Sequence, residues 1–220
     1  MIEFRNVAKY YDGQSVLRNI NIRVEKGEMV FVTGHSGAGK TTLLKLIYAD
    51  EMPDEGEITI GDFHFPTMKE REIPALRRSI GVVFQDFKLK NDLTVFENVS
   101  LPLQIRGMKD KEIRPQVTEA LRKVHLRHKI DVFPKTLSGG EQQRIVIARA
   151  IVANPLVVLA DEPTGNLDEE IAHDIISIFQ EIHLQGTTVV IATHFRDMYR
   201  RTGSRVIRLD TGNVIGEEVG

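Results

Sequence analysis

Short apolar runs bounded by turn residues recur along the chain, and they alternate with segments in which apolar residues return at helical spacing. The apolar runs are rich in β-branched residues and predict strands. Helical spacing follows in residues 41–47 and 168–184, and a longer, more charged helical stretch covers residues 94–133. The predicted strands are residues 2–7, 16–24, 28–33, 57–60, 80–84, 156–160 and 187–192.

The order of these elements predicts an α/β protein. The runs 156–160 and 187–192 are continuously apolar, as strands buried on both faces are, and a helix lies between them. Residues 2–7 and 16–24 also read as strands, which the turn residues Asp12-Gly13 and Lys26-Gly27 punctuate. We therefore expect one domain over residues 1–220, with a helical subdomain at roughly 94–150 inside it.

Composition excludes several classes of protein. The 29 basic and 31 acidic residues give a formal charge of −2, so no basic excess indicates a nucleic-acid partner. The absence of cysteine excludes disulfides and thiolate chemistry. We see neither a secretory signal nor an apolar run near the roughly 20 residues that cross a bilayer. We expect a soluble, cytoplasmic protein that reaches a membrane only through a partner.

The strongest motif is a phosphate-binding loop, G-x-x-x-x-G-K-[ST], between a predicted strand and a predicted helix. Its glycines let backbone N–H groups approach phosphates, its lysine reaches the β- and γ-phosphates, and the following hydroxyl suits Mg²⁺. A chance glycine-rich turn is disfavoured by this strand-loop-helix context. The expected ATP-binding residues are Gly34, His35, Ser36, Gly37, Ala38, Gly39, Lys40, Thr41 and Thr42, with Thr41 also a magnesium ligand.

Two carboxylates follow the apolar run 156–160, at the sheet edge where ligands of α/β proteins bind. Asp161 suits Mg²⁺, held directly or through water. Glu162 is then placed to orient or deprotonate an attacking water, because phosphoryl transfer needs positioning and charge stabilisation more than covalent chemistry. Two ordinary surface acids at a strand end are the alternative, which the preceding phosphate loop disfavours.

A second glycine-rich helix start lies at Ser138-Gly139-Gly140-Glu141, which also fits a capping box. Alone, this pattern predicts only a well-formed helix N-terminus. Its two glycines leave the helix amides uncovered, however, and thereby favour an anion site. One lysine-bearing loop already suffices for a nucleotide, so the second site is expected to cap a nucleotide held by another copy.

With these motifs, the chain resembles the ATP-binding cassette (ABC) family over nearly its whole length. The resemblance implies a P-loop ATPase fold with a mixed sheet core, an antiparallel β subdomain and a helical signature subdomain. It also implies Mg-dependent hydrolysis of ATP to ADP and phosphate, in a head-to-tail homodimer. The residues contacting ATP across that dimer would be Ser138, Gly139, Gly140, Glu141 and Asp168.

By position, the resemblance assigns further roles to single residues. Tyr11 matches the aromatic residue that stacks on adenine, with Tyr10 beside it as a rival. Gln85 matches the glutamine that senses Mg²⁺ and the membrane partner, and His194 matches the histidine that contacts the γ-phosphate. With Glu162, these two complete the expected catalytic set. Phe195 departs from the family, which usually has aspartate there, and this leaves the packing around His194 open.

The motifs also resemble, more narrowly, the ATPases of bacterial cell division. This implies an integral membrane partner, a peripheral position on the cytoplasmic face of the plasma membrane at the division site, and activation of peptidoglycan hydrolases. The ATPase of a lipoprotein-release or efflux transporter shares much of the motif set and is the alternative. A DNA-repair or chromosome-organising ATPase is disfavoured, because the chain has no coiled-coil insertion between Lys40 and Ser138. A scaffold that binds ATP but hardly hydrolyses it is also disfavoured, because Glu162, Gln85 and His194 are all present.

Overall fold

A computed structural model describes residues 1–200 and 202–220. The strands in these described residues are β1 (Ile2–Tyr11), β2 (Gln14–Val24), β3 (Met29–Thr33), β4 (Glu55–Ile60), β5 (Phe63–His64), β6 (Ile80–Val83), β7 (Val157–Asp161), β8 (Thr188–Thr193), β9 (Arg205–Asp210) and β10 (Asn213–Val219). The α-helices in the same part of the chain are α1 (Lys40–Ile47), α2 (Ile73–Arg78), α3 (Val95–Ile105), α4 (Asp110–Lys123), α5 (Gly139–Ile151) and α6 (Glu169–Leu184).

The strands form two sheets, which confirms the expected fold class. The larger sheet has the order β10-β9-β3-β8-β7-β6, and all its strands are parallel except β10 at the edge. The smaller sheet, β2-β1-β4-β5, is antiparallel. The central strands β3 and β8 are buried at every position, because both faces of the larger sheet are covered.

Each face of the larger sheet has its own apolar core. Along β3, Phe31 packs in the core shared with α3 to α6, whereas Val30 and Val32 pack in the core shared with α1 and the antiparallel sheet. This alternation follows from the two-residue period of a strand. The larger sheet therefore sits between helices α3 to α6 on one face and α1 with the antiparallel sheet on the other, and the carboxyl ends of its parallel strands lie along one edge.

Several predicted boundaries move by a residue for local physical reasons. Glu28 lies before β3 because its carboxylate turns back to accept the Glu25 N–H at 2.7 Å. Leu156 is 44% exposed and precedes β7, and Phe84 lies beyond the end of β6. Asp168 is the N-cap of α6 and not its first residue.

The structure adds elements that the apolar pattern missed. The predicted helical stretch 94–133 is broken between α3 and α4 at Gly107, whose φ is +74°. The hairpin of β9 and β10 was not predicted at all, because β10 is largely exposed and its hydrophobic alternation is weak. No helix in the described part of the chain is long and apolar enough to cross a membrane.

Candidate functional site

The phosphate-binding loop connects the buried strand β3 to the N-terminus of α1. Gly39 is the N-cap of α1 with φ +103°, and Gly37 has φ +82° with open space where a side chain would stand. A Cβ at Gly34 would come within 2.3 Å of the Leu209 carbonyl oxygen. These positions therefore require glycine, and they leave the loop amides and the start of α1 uncovered for an anion.

Lys40 is buried and points back into its own loop. Its Nζ donates to the carbonyl oxygens of Gly34 at 2.9 Å and His35 at 3.2 Å, and lies 3.4 Å from Glu162 Oε1. Every polar partner of this ammonium is thus an oxygen of the site itself. The lysine holds the loop in shape and stands within the space in which phosphates would be bound.

Glu162 and His194 directly follow the adjacent parallel strands β7 and β8. The imidazole Nδ1 of His194 is 2.9 Å from Glu162 Oε1, and the His194 backbone N–H donates to Oε2 at 3.3 Å. Glu162 has φ +45°, a conformation rare outside glycine, and its N–H donates to Ala192 O at 2.9 Å. The turn after β7 therefore directs this carboxylate sideways, onto the histidine and the lysine.

Asp161 ends β7 beside the start of α1. Its Oδ1 is buried without a hydrogen-bond partner, and burial raises the pKa of this carboxyl, with the charge of Glu162 acting in the same direction and a hydrogen bond from Thr41 opposing it. An orphaned carboxylate oxygen beside a hydroxyl fits a hard divalent cation, which prefers such oxygen ligands. The residues present therefore suit Mg²⁺.

A cavity of about 340 Å³ brings together nine of the predicted site residues, including the three expected catalytic residues. Gln85 joins them from the end of β6, and its amide nitrogen lies near Gly165, in the segment that follows Glu162. Val16 of β2 also lines the cavity and adds an apolar side chain, although no sequence motif predicts it as a site residue. The lining residues are Val16, Ser36, Gly37, Gly39, Lys40, Thr41, Thr42, Gln85, Glu162 and His194.

Tyr11 stands at the end of β1, outside the residues that line this cavity. Burial raises the pKa of its hydroxyl, which lies beside Glu51 and Thr42, and Lys9 Nζ is 5.4 Å from its ring centre. Its rival Tyr10 is 38% exposed and donates its hydroxyl to Glu55 at 3.1 Å. Of the two, Tyr11 is thus the one next to a cavity residue, Thr42.

The second glycine-rich helix start, Ser138-Gly139-Gly140-Glu141, is the signature segment, and it forms a capped helix N-terminus away from this cavity. Ser138 Oγ accepts the Glu141 N–H at 3.3 Å, and Glu141 Oε2 accepts the Ser138 N–H at 3.0 Å, which lowers the pKa of Glu141. Gly140 has no room for a side chain, because a Cβ would lie 2.6 Å from Ile171 Cγ2. None of these residues lines the cavity in the part of the chain described, so one copy keeps its two glycine-rich sites apart.

Asp168 is the last of the predicted site residues, and Phe195 is the residue that departs from the family beside His194. Asp168 Oδ1 accepts the Ile171 N–H at 3.0 Å as the N-cap of α6, the helix that packs against Gly140. Phe195 stacks on His194, with ring centres 4.0 Å apart and planes inclined by 37°. The packing that the missing aspartate had left open is therefore an aromatic contact.

Comparison with known proteins agrees with this architecture. Residues 17–165, which contain the phosphate loop, the signature and the carboxylate pair, match the family described as ABC transporter. The chain belongs to the ABC transporter family. This confirms the family resemblance seen in the motifs.

Relatives within the ABC transporter family match almost end to end. The cell division ATP-binding protein FtsE of Bacillus subtilis (strain 168) is 48% identical over 219 residues, covering 99% of this chain and 96% of the relative. FtsE of Escherichia coli (strain K12) is 47% identical over 217 residues, or 98% of each chain. These matches also bear out the narrower resemblance to cell-division ATPases.

Solved ABC transporter cassettes share the fold. The dimeric structure of MJ0796, a bacterial ABC transporter cassette, superposes with a TM-score of 0.89 at 38% identity, covering 100% of this chain and 98% of that one. A second dimeric structure of MJ0796, in a post-hydrolysis state bound to ADP and Pi, gives the same TM-score at 37% identity, with the same coverage.

Proposed function

We propose that this chain is the ATP-binding and ATP-hydrolysing subunit of a bacterial cell-division complex with an integral membrane partner of the FtsX type. The observation that carries the hydrolytic part is the convergence of Lys40, Glu162 and His194 behind a phosphate loop. The division part is supported by FtsE relatives from several bacteria that match nearly the whole chain.

The site residues divide the work of hydrolysis among them. The loop amides and Lys40 bind the phosphates of ATP, with Tyr11 beside the adenine. Glu162 accepts the proton of the attacking water, and His194 orients that carboxylate through the 2.9 Å contact while facing the γ-phosphate. Gln85 lines the same cavity and completes the catalytic set.

Thr41, Asp161 and Gln85 are the residues that would hold Mg²⁺. When bound, the ion neutralises charge on the β- and γ-phosphates. The orphaned oxygen of Asp161 supports this assignment. Removal of Mg²⁺ with EDTA should abolish turnover, and Asp161→Asn should raise the Mg²⁺ concentration for half-maximal activity, whereas unchanged Mg²⁺ dependence would contradict the ligand set.

The second glycine-rich site supports a functional homodimer. Ser138, Gly139, Gly140, Glu141 and Asp168 lie outside the nucleotide cavity of their own copy, as expected if they close over ATP bound by the partner. MJ0796, which shares this fold, is dimeric in its solved structures. ATP would then be buried between two chains, and hydrolysis would reopen them.

A groove between the sheet and the helical subdomain is our candidate surface for the membrane partner. It encloses about 570 Å³ next to Gln85 and is lined by Tyr48, Phe84, Pro102 and Ile105, among others. Of the apolar residues near Gln85 in the chain, Val95 is buried, whereas the others are only partly buried: Phe84, Phe87, Leu89, Leu93 and Phe96. A cytoplasmic helix of the partner can lie there, with this chain peripheral on the cytoplasmic membrane face at the division site.

When ATP closes the homodimer, the membrane partner would transmit this conformational change across the membrane and activate peptidoglycan hydrolases on the other side. The test is to express tagged Glu162→Gln in its native cell, solubilise membranes with Mg-ATP, and identify the co-purifying membrane protein. Glu169→Gln, which alters an exposed carboxylate on α6, is the matched control. An FtsX-type protein with septal localisation supports the proposal.

A transport function is the second candidate, because MJ0796 is itself described as a transporter cassette. Recovery of a lipoprotein-release or drug-transport permease in the same experiment would refute the division role and leave the ATPase chemistry intact.

A further inference from the structure

The turn between β9 and β10, residues 210–213, lies against the phosphate loop. The two segments are almost 170 residues apart in the chain, and the turn approaches the loop because β9 is the parallel neighbour of β3. The carboxyl end of β9 therefore reaches the same sheet edge as the carboxyl end of β3, where the loop begins. None of the roles described above uses this turn.

Backbone contacts form the first part of the junction. The Gly212 N–H donates to Ala38 O at 3.2 Å, while Gly212 O accepts the Arg18 N–H at 2.8 Å. The Leu209 carbonyl closes against Gly34, where a side chain would lie 2.3 Å from its oxygen. The turn thus connects the phosphate loop to β2, whose Val16 lines the cavity.

The side chain of His35 forms the second part. Its Nε2 lies 3.0 Å from Asp210 Oδ1, and its Nδ1 lies 2.6 Å from the carbonyl oxygen of Ser36. Both partners are acceptors only, so both contacts are hydrogen bonds when the ring carries two protons. The imidazole then bridges a carbonyl of the loop to a carboxylate of the turn.

This geometry also shows what His35 does not do. In the described structure its ring is directed to Asp210, and His35 is not among the residues that line the cavity, although its neighbours Ser36 and Gly37 are. The side chain acts on the loop from outside. Its backbone carbonyl meanwhile accepts a hydrogen bond from Lys40 at 3.2 Å, so the position of residue 35 also affects the lysine.

We propose that Asp210 is a positioning residue for nucleotide binding, which holds the phosphate loop in its binding shape through His35. The proposal rests on the nucleotide-binding role of the loop. Because a loop that is already in its binding shape loses less free energy to ordering when the nucleotide binds, the contact should raise nucleotide affinity and leave the chemical step unchanged. Because both side chains are about half exposed (54% and 49%), the effect should be modest, about two- to fivefold.

The test is a double-mutant cycle over Asp210→Ala, His35→Ala and the double variant. The dissociation constant of a fluorescent ADP analogue is measured for each protein, together with KM and kcat for ATP. Asp210→Ala should raise the dissociation constant and KM about two- to fivefold without changing kcat, and in the His35→Ala background it should have no further effect. Asp210→Glu, which retains the carboxylate, should recover part of the loss.

Asp62→Ala is the matched control, because it removes an exposed aspartate from the turn between β4 and β5 in the other sheet. If Asp210→Ala impairs folding by circular dichroism, Asp210→Asn takes its place in the cycle. Equal effects of the Asp210 change with and without His35, or a folded variant with native affinity, would overturn the proposal. Failure of the unmodified protein to bind the analogue would instead refute the proposed ATPase function.

Discussion

Replacing Ser138 by alanine should separate the structural role of the signature serine from its catalytic role. The chain supplies its own control, because Thr94 is the N-cap of α3 in the same kind of capping box. Ser138 Oγ accepts the Glu141 N–H at 3.3 Å, and Thr94 Oγ1 accepts the Glu97 N–H at 3.2 Å. Two alanine variants therefore remove equivalent caps at different helices.

The structural cost should be alike in the two variants. Loss of an N-cap side chain costs about 1 kcal/mol, which lowers Tm by about 2–4 °C in a protein of this size. Thr94 Oγ1 also donates to Glu97 Oε2 at 2.8 Å, so Thr94→Ala should cost at least as much stability as Ser138→Ala. Urea and thermal unfolding, followed by circular dichroism, measure both values.

The functional cost should fall on Ser138→Ala alone. If its hydroxyl bonds a phosphate across the dimer, a hydrogen bond to a charged group worth about 1.5–3 kcal/mol is lost, or roughly ten- to a hundredfold in ATP-dependent dimerisation and kcat/KM. Light scattering with Mg-ATP and steady-state ATPase assays at several protein concentrations measure these quantities. Equal ATPase activity and dimerisation in the two variants would show that the signature serine only caps α5.

Three further changes test other parts of the site and its support. Glu162→Gln should lower turnover by about 10²- to 10⁴-fold while a fluorescent nucleotide still binds, and native turnover would remove Glu162 as the base. Phe195→Leu should lower kcat about two- to tenfold through loss of the stack on His194, with Phe195→Tyr near native; equal losses in both variants would contradict the stacking role. Gly81→Ala should lower the free energy of unfolding in urea by about 3 kcal/mol, because its Cβ would lie 2.2 Å from Ala150 O. A native unfolding midpoint would show that β6 and α5 can move apart at little cost.

The apolar pattern predicted most of the larger sheet, because its central strands are buried on both faces. Every residue of β3 is buried, and so is every residue of β8, so continuous apolar runs marked them clearly. The strand β10 has no continuous apolar run that could predict it, since five of its seven residues are exposed. Its pairing with β9 is set by the hairpin turn and by the edge of the sheet.

The juxtaposition of Glu162 and His194 could be anticipated, since each follows an apolar run and parallel strands end at one edge. The positive φ that turns Glu162 towards Lys40 could not be anticipated, because glutamate rarely adopts that backbone conformation. The contact between His35 and Asp210 depends on β9 lying beside β3, and strand order across so long a separation is absent from local patterns.

The position of β9 has a consequence for shortened forms of this protein. Removing the last hairpin would take away the hydrogen-bonding neighbour along one side of β3. The segment Met29–Thr33, apolar apart from its last residue, would then become an open sheet edge, a template on which other chains can pair. We expect a truncation before Arg205 to aggregate and not simply to lose activity, so light scattering of the shortened chain is the informative measurement. The hairpin thus protects a fully buried, apolar strand from self-association.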